Sequence, residues 1–350
     1  MAKTILCPYC LHEIPQALAR QGKKCTACKR EFPGRYLKDY QREPNVVISV
    51  VGFSGHGKTT YLASLMWLLQ KKLGRYWGSA KRRFIYDPLR ADEDFKIMED
   101  HINDLDQSIL PEPTQWSTFP KPTVHRLLQI PYLSNWRMII CDTGGEAFND
   151  LKRFGQRASF VQRSSTVLFL VSLPHLKGLD PGLEMGKLLK NYRDGMEGMG
   201  ADTKKQKLLV VYTLGDALIK NGWLQKYPEI SDYIGTGEAK KLDATGMVHY
   251  LDGLRKISTE LETFTLKKVR ADHFFSIGKD EFKDLTFCIC SSLGAPPSTE
   301  EFIINGKKRS KLTQKINPRR VIDPLLWIID NACTERNPLK ERIEKPIRRL

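Results

Sequence analysis

Short, mainly apolar runs, separated by stretches of mixed polarity, set the plan of this chain. Residues 46–51 (Val-Val-Ile-Ser-Val-Val), 166–173, 207–214 and 285–290 are apolar runs, and 124–130 and 136–141 are strand-like with a few polar positions. Such runs are too short for a buried helix and predict strands. Between them apolar residues recur at helical spacing: Tyr61, Leu62, Leu65, Met66 and Leu69, then the segments 147–163 and 183–196. Strand alternating with helix predicts an α/β fold, a doubly wound and mostly parallel sheet covered on both faces. The runs 124–130 and 136–141, joined by Pro-Tyr-Leu-Ser-Asn, read as a hairpin. Residues 217–284 are rich in helix formers and predict a helical insertion, in which 257–268 is one amphipathic helix with Ile257, Leu261 and Phe264 on one side. Residues 73–122 show neither period, turn proline-rich after 110, and read as a long irregular loop.

The first strand run leads directly into Gly52-Phe-Ser54-Gly55-His56-Gly57-Lys58-Thr59-Thr60. Glycines at 52, 55 and 57 let a chain curl until its N–H groups point at one anion, at the start of a helix whose dipole favours negative charge. The spacing Gly-x-x-x-x-Gly-Lys-Thr between strand and helix is that of a phosphate-binding loop, with Lys58 reaching the β- and γ-phosphates and the Thr59 hydroxyl placed for Mg²⁺. Thr60 caps the helix start, and the His56 side chain is expected to point away from the phosphates. The competing reading, a glycine-rich turn with a solvated lysine, does not account for the flanking strand and helix.

Two more strand ends carry candidate chemistry. The run 136–141 ends in Asp142-Thr-Gly-Gly145-Glu146, and a carboxylate there suits a water-mediated Mg²⁺ contact, with Gly145 offering its N–H to a γ-phosphate. The run 207–214 delivers Thr213-Leu-Gly-Asp216 to the end of the sheet where doubly wound folds bind ligands. Asp216 suits the N1–H and N2–H₂ donors of guanine. The last run ends in Ser291-Ser292-Leu293, whose backbone is placed to meet the base O6.

Ahead of this domain stand Cys7-x-x-Cys10 and, after fourteen residues, Cys25-x-x-Cys28. Two such knuckles predict a four-thiolate zinc site, and a segment of about 40 residues needs that metal to fold. A redox pair is the competing reading. Cys141, Cys288 and Cys290 sit inside apolar runs, as small hydrophobes do, so no disulfide framework is expected. The expected division is a zinc ribbon over 1–43, the linker Arg42-Glu-Pro-Asn45, and a nucleotide domain over 44–350 with insertions at about 74–122, 217–284 and 299–318.

Charge adds one partner class. The chain carries a formal net charge of +16, and residues 305–350 hold 13 Lys/Arg against 5 Asp/Glu, about half of the excess. An anionic partner is implied: nucleic acid, an acidic protein or a membrane surface. The ribbon cations Lys23, Lys24, Lys29, Arg30 and Arg35 suit nucleic acid and protein docking equally. No run approaches the roughly 18 residues needed to cross a bilayer, and no apolar leader opens the chain, so a soluble cytoplasmic protein is expected.

Taken in order, residues 52–59, 142–145, 213–216 and 291–293 resemble the Ras-like (TRAFAC) P-loop GTPases over about 45–331. With the ribbon, Asp-Thr-Gly-Gly-Glu146 and a closing helix over 320–328, the chain more narrowly resembles the bacterial double-GTPase group. The resemblance implies a switch protein that binds GTP or GDP with Mg²⁺, hydrolyses GTP, and acts with partner proteins in a defence or conflict system. Three departures stand out. Leu214 replaces the lysine that stacks on the base, and Glu146 stands where glutamine commonly orients water, which implies slow intrinsic turnover. The first-switch threonine is Thr114, Thr118 or Thr123. The alternative function is an ATP-dependent enzyme acting on nucleic acid through the ribbon and the basic C-terminal region.

Overall fold

In the computed structural model the described residues are 4–53, 55–79, 82–89, 93–112, 122–142, 159–176, 180–237, 242–294, 296–304 and 307–336. A small sheet of β1 (Thr4–Leu6) and β2 (Glu13–Pro15) belongs to the N-terminal ribbon. The central sheet is built from β3 (Asn45–Val51), β6 (Ile85–Pro88), β7 (Thr123–Ile130), β8 (Ser134–Asp142), β9 (Thr166–Val171), β10 (Lys207–Tyr212) and β11 (Asp284–Ile289). A two-residue pair, β4 (Gly78–Ser79) with β5 (Arg82–Arg83), lies outside it.

Strand order across the sheet is β11-β10-β9-β3-β8-β7-β6. The five strands from β11 to β8 run parallel, and β7 is antiparallel to both β8 and β6. The chain fills one side of β3 first and then crosses to the other, so the sheet is doubly wound with its switch point at the end of β3. Every residue of β9 is buried, as are all but the first of β3 and β10, which is what helices on both faces require. Alternation divides these strands cleanly. Val47, Val51, Phe169 and Val210 enter one core with the helices Pro181–Gly198 and Asp272–Glu281, whereas Ile48, Val50, Leu170 and Val211 enter the other with the helix Lys58–Leu68.

The helical reading of 217–284 holds: helices occupy Gly215–Lys220, Pro228–Thr236, Ala244–Lys267 and Asp272–Glu281. The amphipathic stretch expected at 257–268 is the second half of Ala244–Lys267, with Ile257, Leu261 and Phe264 buried. That helix covers the β11 edge of the sheet. The buried Ser258 hydroxyl accepts from the Phe287 N–H at 3.0 Å, satisfying a strand donor that has no strand beside it. No helix among the described residues is long and apolar enough to cross a membrane.

Two expectations need correction. Residues 73–122 are not one irregular loop, because β6 extends the central sheet and the helix Glu93–Asp106 packs on Lys58–Leu68. Ile102 and Leu105 are buried there, and Asp106 accepts from Trp67 Nε1 at 3.0 Å. The helix escapes a periodicity scan because six of its fourteen residues are acidic and few of its apolar residues are buried. Of 147–163 only Ser159–Arg163 is described, as a 3₁₀ turn. The basic region after β11 opens with an antiparallel hairpin, β12 (Pro297–Ile304) with β13 (Lys307–Leu312), and the last described helix is Asp323–Arg336.

The linker is the second correction: residue 43 is a buried joint. Glu43, 4% exposed, accepts from both Nε and Nη2 of Arg126, the Nε at 2.8 Å, and from Arg137 Nη2 at 3.1 Å. Arg126 also binds Asp39 and Asp87, at 3.1 and 2.8 Å. Arg137 is fully buried, with its guanidinium over the rings of Tyr36 and Tyr40 at 4.6 and 5.6 Å. Burial lowers its proton affinity, while Glu43 and the other carboxylates raise that of Arg126. Removing Glu43 leaves the fully buried Arg137 without a carboxylate and Arg126 with only Asp39 and Asp87. Glu43→Ala is therefore expected to cost about 3–5 kcal/mol of unfolding free energy by denaturant melts; a loss below about 1 kcal/mol would show that the cluster does not join ribbon and sheet.

Candidate functional site

The phosphate-loop sequence lies at the C-terminal end of β3, at the middle of the sheet. Gly52 turns the chain where space is shortest: a Cβ there would stand 2.6 Å from the Leu170 carbonyl oxygen of β9. Gly57, at φ 81°, is the left-handed residue from which the helix Lys58–Leu68 starts, and its carbonyl accepts the first helical bond from Tyr61 N–H at 2.7 Å. Lys58 is buried and its Nζ folds back over the bend, donating to the carbonyls of Gly52 at 3.0 Å and Phe53 at 2.8 Å. A fixed cation and the positive end of an eleven-residue helix thus meet at one loop. Thr59 and Thr60, in the first turn, are half-buried, and Gly55 is exposed. Ser54 lies outside the described residues.

His56 does more than the sequence indicates. Its side chain turns into the protein, 3% exposed, where Nδ1 accepts from the Ser172 N–H at 3.1 Å and the ring packs on Phe53. Its carbonyl accepts from Thr213 Oγ1 at 3.1 Å. One loop residue is thereby pinned to the ends of both β9 and β10. Burial, with Lys58 and His175 nearby, pulls the ring down to about 4, so it is neutral, with the proton on Nε2. Nothing in a sequence marks a variable loop position as an anchor; the apolar neighbour Phe53 is the only local signal.

Asp142 ends β8 directly beside this loop, since the parallel register pairs it with Val50, two residues before Gly52. Thr213 is buried, its hydroxyl donating to His56 and to the Val171 carbonyl at 3.3 Å. Its side chain thus positions the loop. Leu214 holds the left-handed conformation at φ 57° and caps the helix that begins at Gly215. Asp216 Oδ1 accepts from the buried Ser291 hydroxyl at 2.6 Å, and that hydroxyl accepts from Gly294 N–H at 3.1 Å. The ends of β10 and β11 are thus tied together around one half-buried carboxylate, with Ser292 and Leu293 buried beside it. Thr123 opens β7 opposite Ile140, near the Asp142 end, and its hydroxyl bonds His125 Nε2 at 2.9 Å. Gly145, Glu146, Thr114 and Thr118 lie outside the described residues.

The second site is in the ribbon. All four sulfurs, of Cys7, Cys10, Cys25 and Cys28, lie within 4.8 Å of one another. Cys7 and Cys28 are 3.8 Å apart and Cys10 and Cys25 3.6 Å. Four thiolates bound at ~2.3 Å around a tetrahedral ion are separated by about 3.8 Å, so the set fits zinc. Both knuckles repeat one backbone: the first cysteine carbonyl accepts from Leu11 or Lys29 N–H, and each of those residues is left-handed, at φ 57° and 62°. Tyr9 and Cys28 N–H groups reach Cys7 and Cys25 sulfurs at 3.4 Å each. Burial pushes the Cys10 thiol up to about 11, whereas against burial the N–H groups of Cys28 and Ala27 draw Cys25 below its ordinary value.

No protein-family model matches the chain, and no curated protein matches it. Among solved structures, the S. cerevisiae Ski7 GTPase-like domain, bound to GDP and inorganic phosphate, matches at a TM-score of 0.35 with 12% identity. The match covers 84% of this chain and 51% of that one, so the chain spans about half the length of that neighbour.

The buried histidines give a pH prediction. Burial holds His56 near 4 and His125 near 3 in the folded chain, against about 6.5 unfolded. The unfolded state therefore takes up more protons as pH falls below about 6.5, and stability drops through that window, by up to about 1.4 kcal/mol per pH unit for each ring. Unfolding free energies measured between pH 7 and 5 are expected to fall less steeply in His56→Asn than in the native chain; equal slopes would refute the buried neutral ring. For the ribbon, elemental analysis of purified protein is expected to give one zinc per chain, lost in Cys25→Ser.

Proposed function

We propose that this chain is a GTP-binding and GTP-hydrolysing switch protein. One observation carries the reading: the register of Val50 with Asp142 brings an acidic strand end beside a glycine bend that holds a buried lysine at a helix start. In this reading the loop N–H groups from Ser54 to Thr60 cradle the phosphates and Lys58 neutralises charge on the transferring group. Thr59 and Asp142 hold Mg²⁺, which supplies further charge neutralisation at the β- and γ-phosphates when bound. Gly145 senses the γ-phosphate, and Glu146 orients water. Asp216, oriented by Ser291, reads guanine, with Ser292 and Leu293 along the base edge and Leu214 against its face.

A carboxylate at Glu146 stands near phosphate charge, which slows unaided hydrolysis and makes room for an activating protein. The resemblance to double GTPases extends this to a partner protein in a bacterial defence or conflict system. The second reading, an ATP-dependent enzyme on nucleic acid, is favoured by one feature: Leu214 takes the place of the base-stacking lysine.

Competition separates the two. Labelled GTP bound to the purified chain is expected to be displaced by excess GTP or GDP and not by excess ATP, and hydrolysis is expected to fall to background in Lys58→Ala. Displacement by ATP at matching concentration points to the second reading. Undiminished turnover in Lys58→Ala removes both.

A further inference from the structure

Away from the phosphate loop, a cavity of about 330 Å³ opens where the far end of the helix Lys58–Leu68 meets the segment that follows the β12–β13 hairpin. Trp67, Tyr76 and Ile316 form its apolar wall, Gly235 lies on its rim, and Lys72 and Arg319 bring two cations to it. The volume lies in the range of small-ligand pockets, and the mixture of flat apolar wall and few charged groups is their usual composition.

Three features set this cavity apart from a packing gap. First, the helix that lines it changes winding there: Leu69–Leu73 is a π-helical turn carrying Lys72, a conformation rare in proteins and frequent at functional sites. Second, among the described residues neither cation is bonded to an anion, although the Lys72 charge is felt by Asp106. Lys72 Nζ lies 5.2 Å above the Trp67 ring, and neither it nor the half-buried Arg319 guanidinium makes a hydrogen bond or ion pair among the described residues. Among the described residues the other half-buried arginines are paired, as Arg193, Arg255 and Arg309 are. Third, Arg319 is held rigidly by its backbone, which exchanges two 2.9 Å bonds with Ser291. A guanidinium fixed at its base and unspent at its tip is prepared for an anion rather than left over from folding.

We propose that this cavity is a second ligand site, taking a small anion that carries a flat apolar body. The anionic group lies between Lys72 and Arg319, and the body lies against Tyr76 and Ile316. The site stands apart from the phosphate loop, so it holds whether or not the nucleotide reading does.

Phenyl phosphate serves as the probe, titrated into the full chain by calorimetry with and without saturating GDP and Mg²⁺. Saturable one-to-one binding is expected, unchanged by GDP, and weaker for inorganic phosphate. The double variant Lys72→Gln, Arg319→Gln is expected to weaken binding at least about tenfold, the effect of losing charge-assisted hydrogen bonds. Gly235→Leu tests the same site from its rim, where the glycine is exposed and an added Cβ meets nothing within 4 Å. It too is expected to reduce affinity at least about tenfold, with an unchanged melting temperature. The proposal fails if no saturable binding is seen, if GDP competes with the probe, or if either variant binds as tightly as the native chain. Equal affinity for inorganic phosphate overturns the flat-body assignment.

Discussion

The close passage of Gly52 beneath β9 is the contact on which the site geometry rests. With a Cβ 2.6 Å from the Leu170 carbonyl, β3 could not hold its register with β9 and still turn at that point. The same register places Val50 beside Asp142, so the strand that feeds the loop and the strand that presents the carboxylate are fixed by one sheet. His56 then ties the loop to the ends of β9 and β10, through Ser172 and Thr213. The loop is therefore held at three strand ends, and its curvature is built in before any anion arrives, which lowers the ordering cost of binding one.

The ribbon is integrated in the same manner. Its own core of Ile5, Leu11, Ile14 and Tyr36 is continuous with the face of the sheet that carries Val47 and Ile139. At that boundary Glu43 neutralises Arg126 and Arg137 together, and the tyrosine rings face the one guanidinium that carries the deeper burial. Desolvating three charges is costly, and well-packed apolar residues would serve stability as well. What the ionic cluster adds is direction: bidentate pairing and ring stacking tolerate few orientations, so the ribbon and the sheet meet in one arrangement. The four cysteines, spaced to hold one metal ion, bring the two knuckles together, and the charge cluster orders the ribbon against the sheet.

Strands were legible because burial on both faces leaves an unbroken apolar run, as in β9 and β10. The cysteine cluster was legible because knuckle spacing is set by local geometry. The elements within 73–122 were not, since the helix Glu93–Asp106 is rich in acidic residues and β6 pairs through its backbone with only partial burial. Glu43 read as linker for a related reason: a charged residue beside a proline looks solvated until the arginines that meet it, 83 and 94 residues away in sequence, are placed. The hydrogen bond of Ser291 to Asp216 spans 75 residues and was equally hidden, although both residues stood in recognisable motifs.

The basic C-terminal region shows how composition overstates a surface. Arg309 is held by Asp104 and Glu112, and Arg320 stacks 3.7 Å from the Tyr233 ring while its Nε donates to the Tyr233 carbonyl at 3.0 Å. Beside it the fully buried Asp323 accepts from the hydroxyls of Tyr233 and Tyr250, and burial raises its carboxyl to about 6. The Val321 carbonyl accepts from Tyr61, in the first turn of the phosphate-loop helix, at 3.3 Å. Residues 319–323 therefore join the base-side loop, the helical insertion and the phosphate-loop helix at one place. Two arginines of this region serve that joint and the hairpin's attachment, so their charge is spent within the fold and not on a solvated basic surface. The segment after β11 is thus part of the framework of the central sheet, tying the ends of β10 and β11 to the helical insertion.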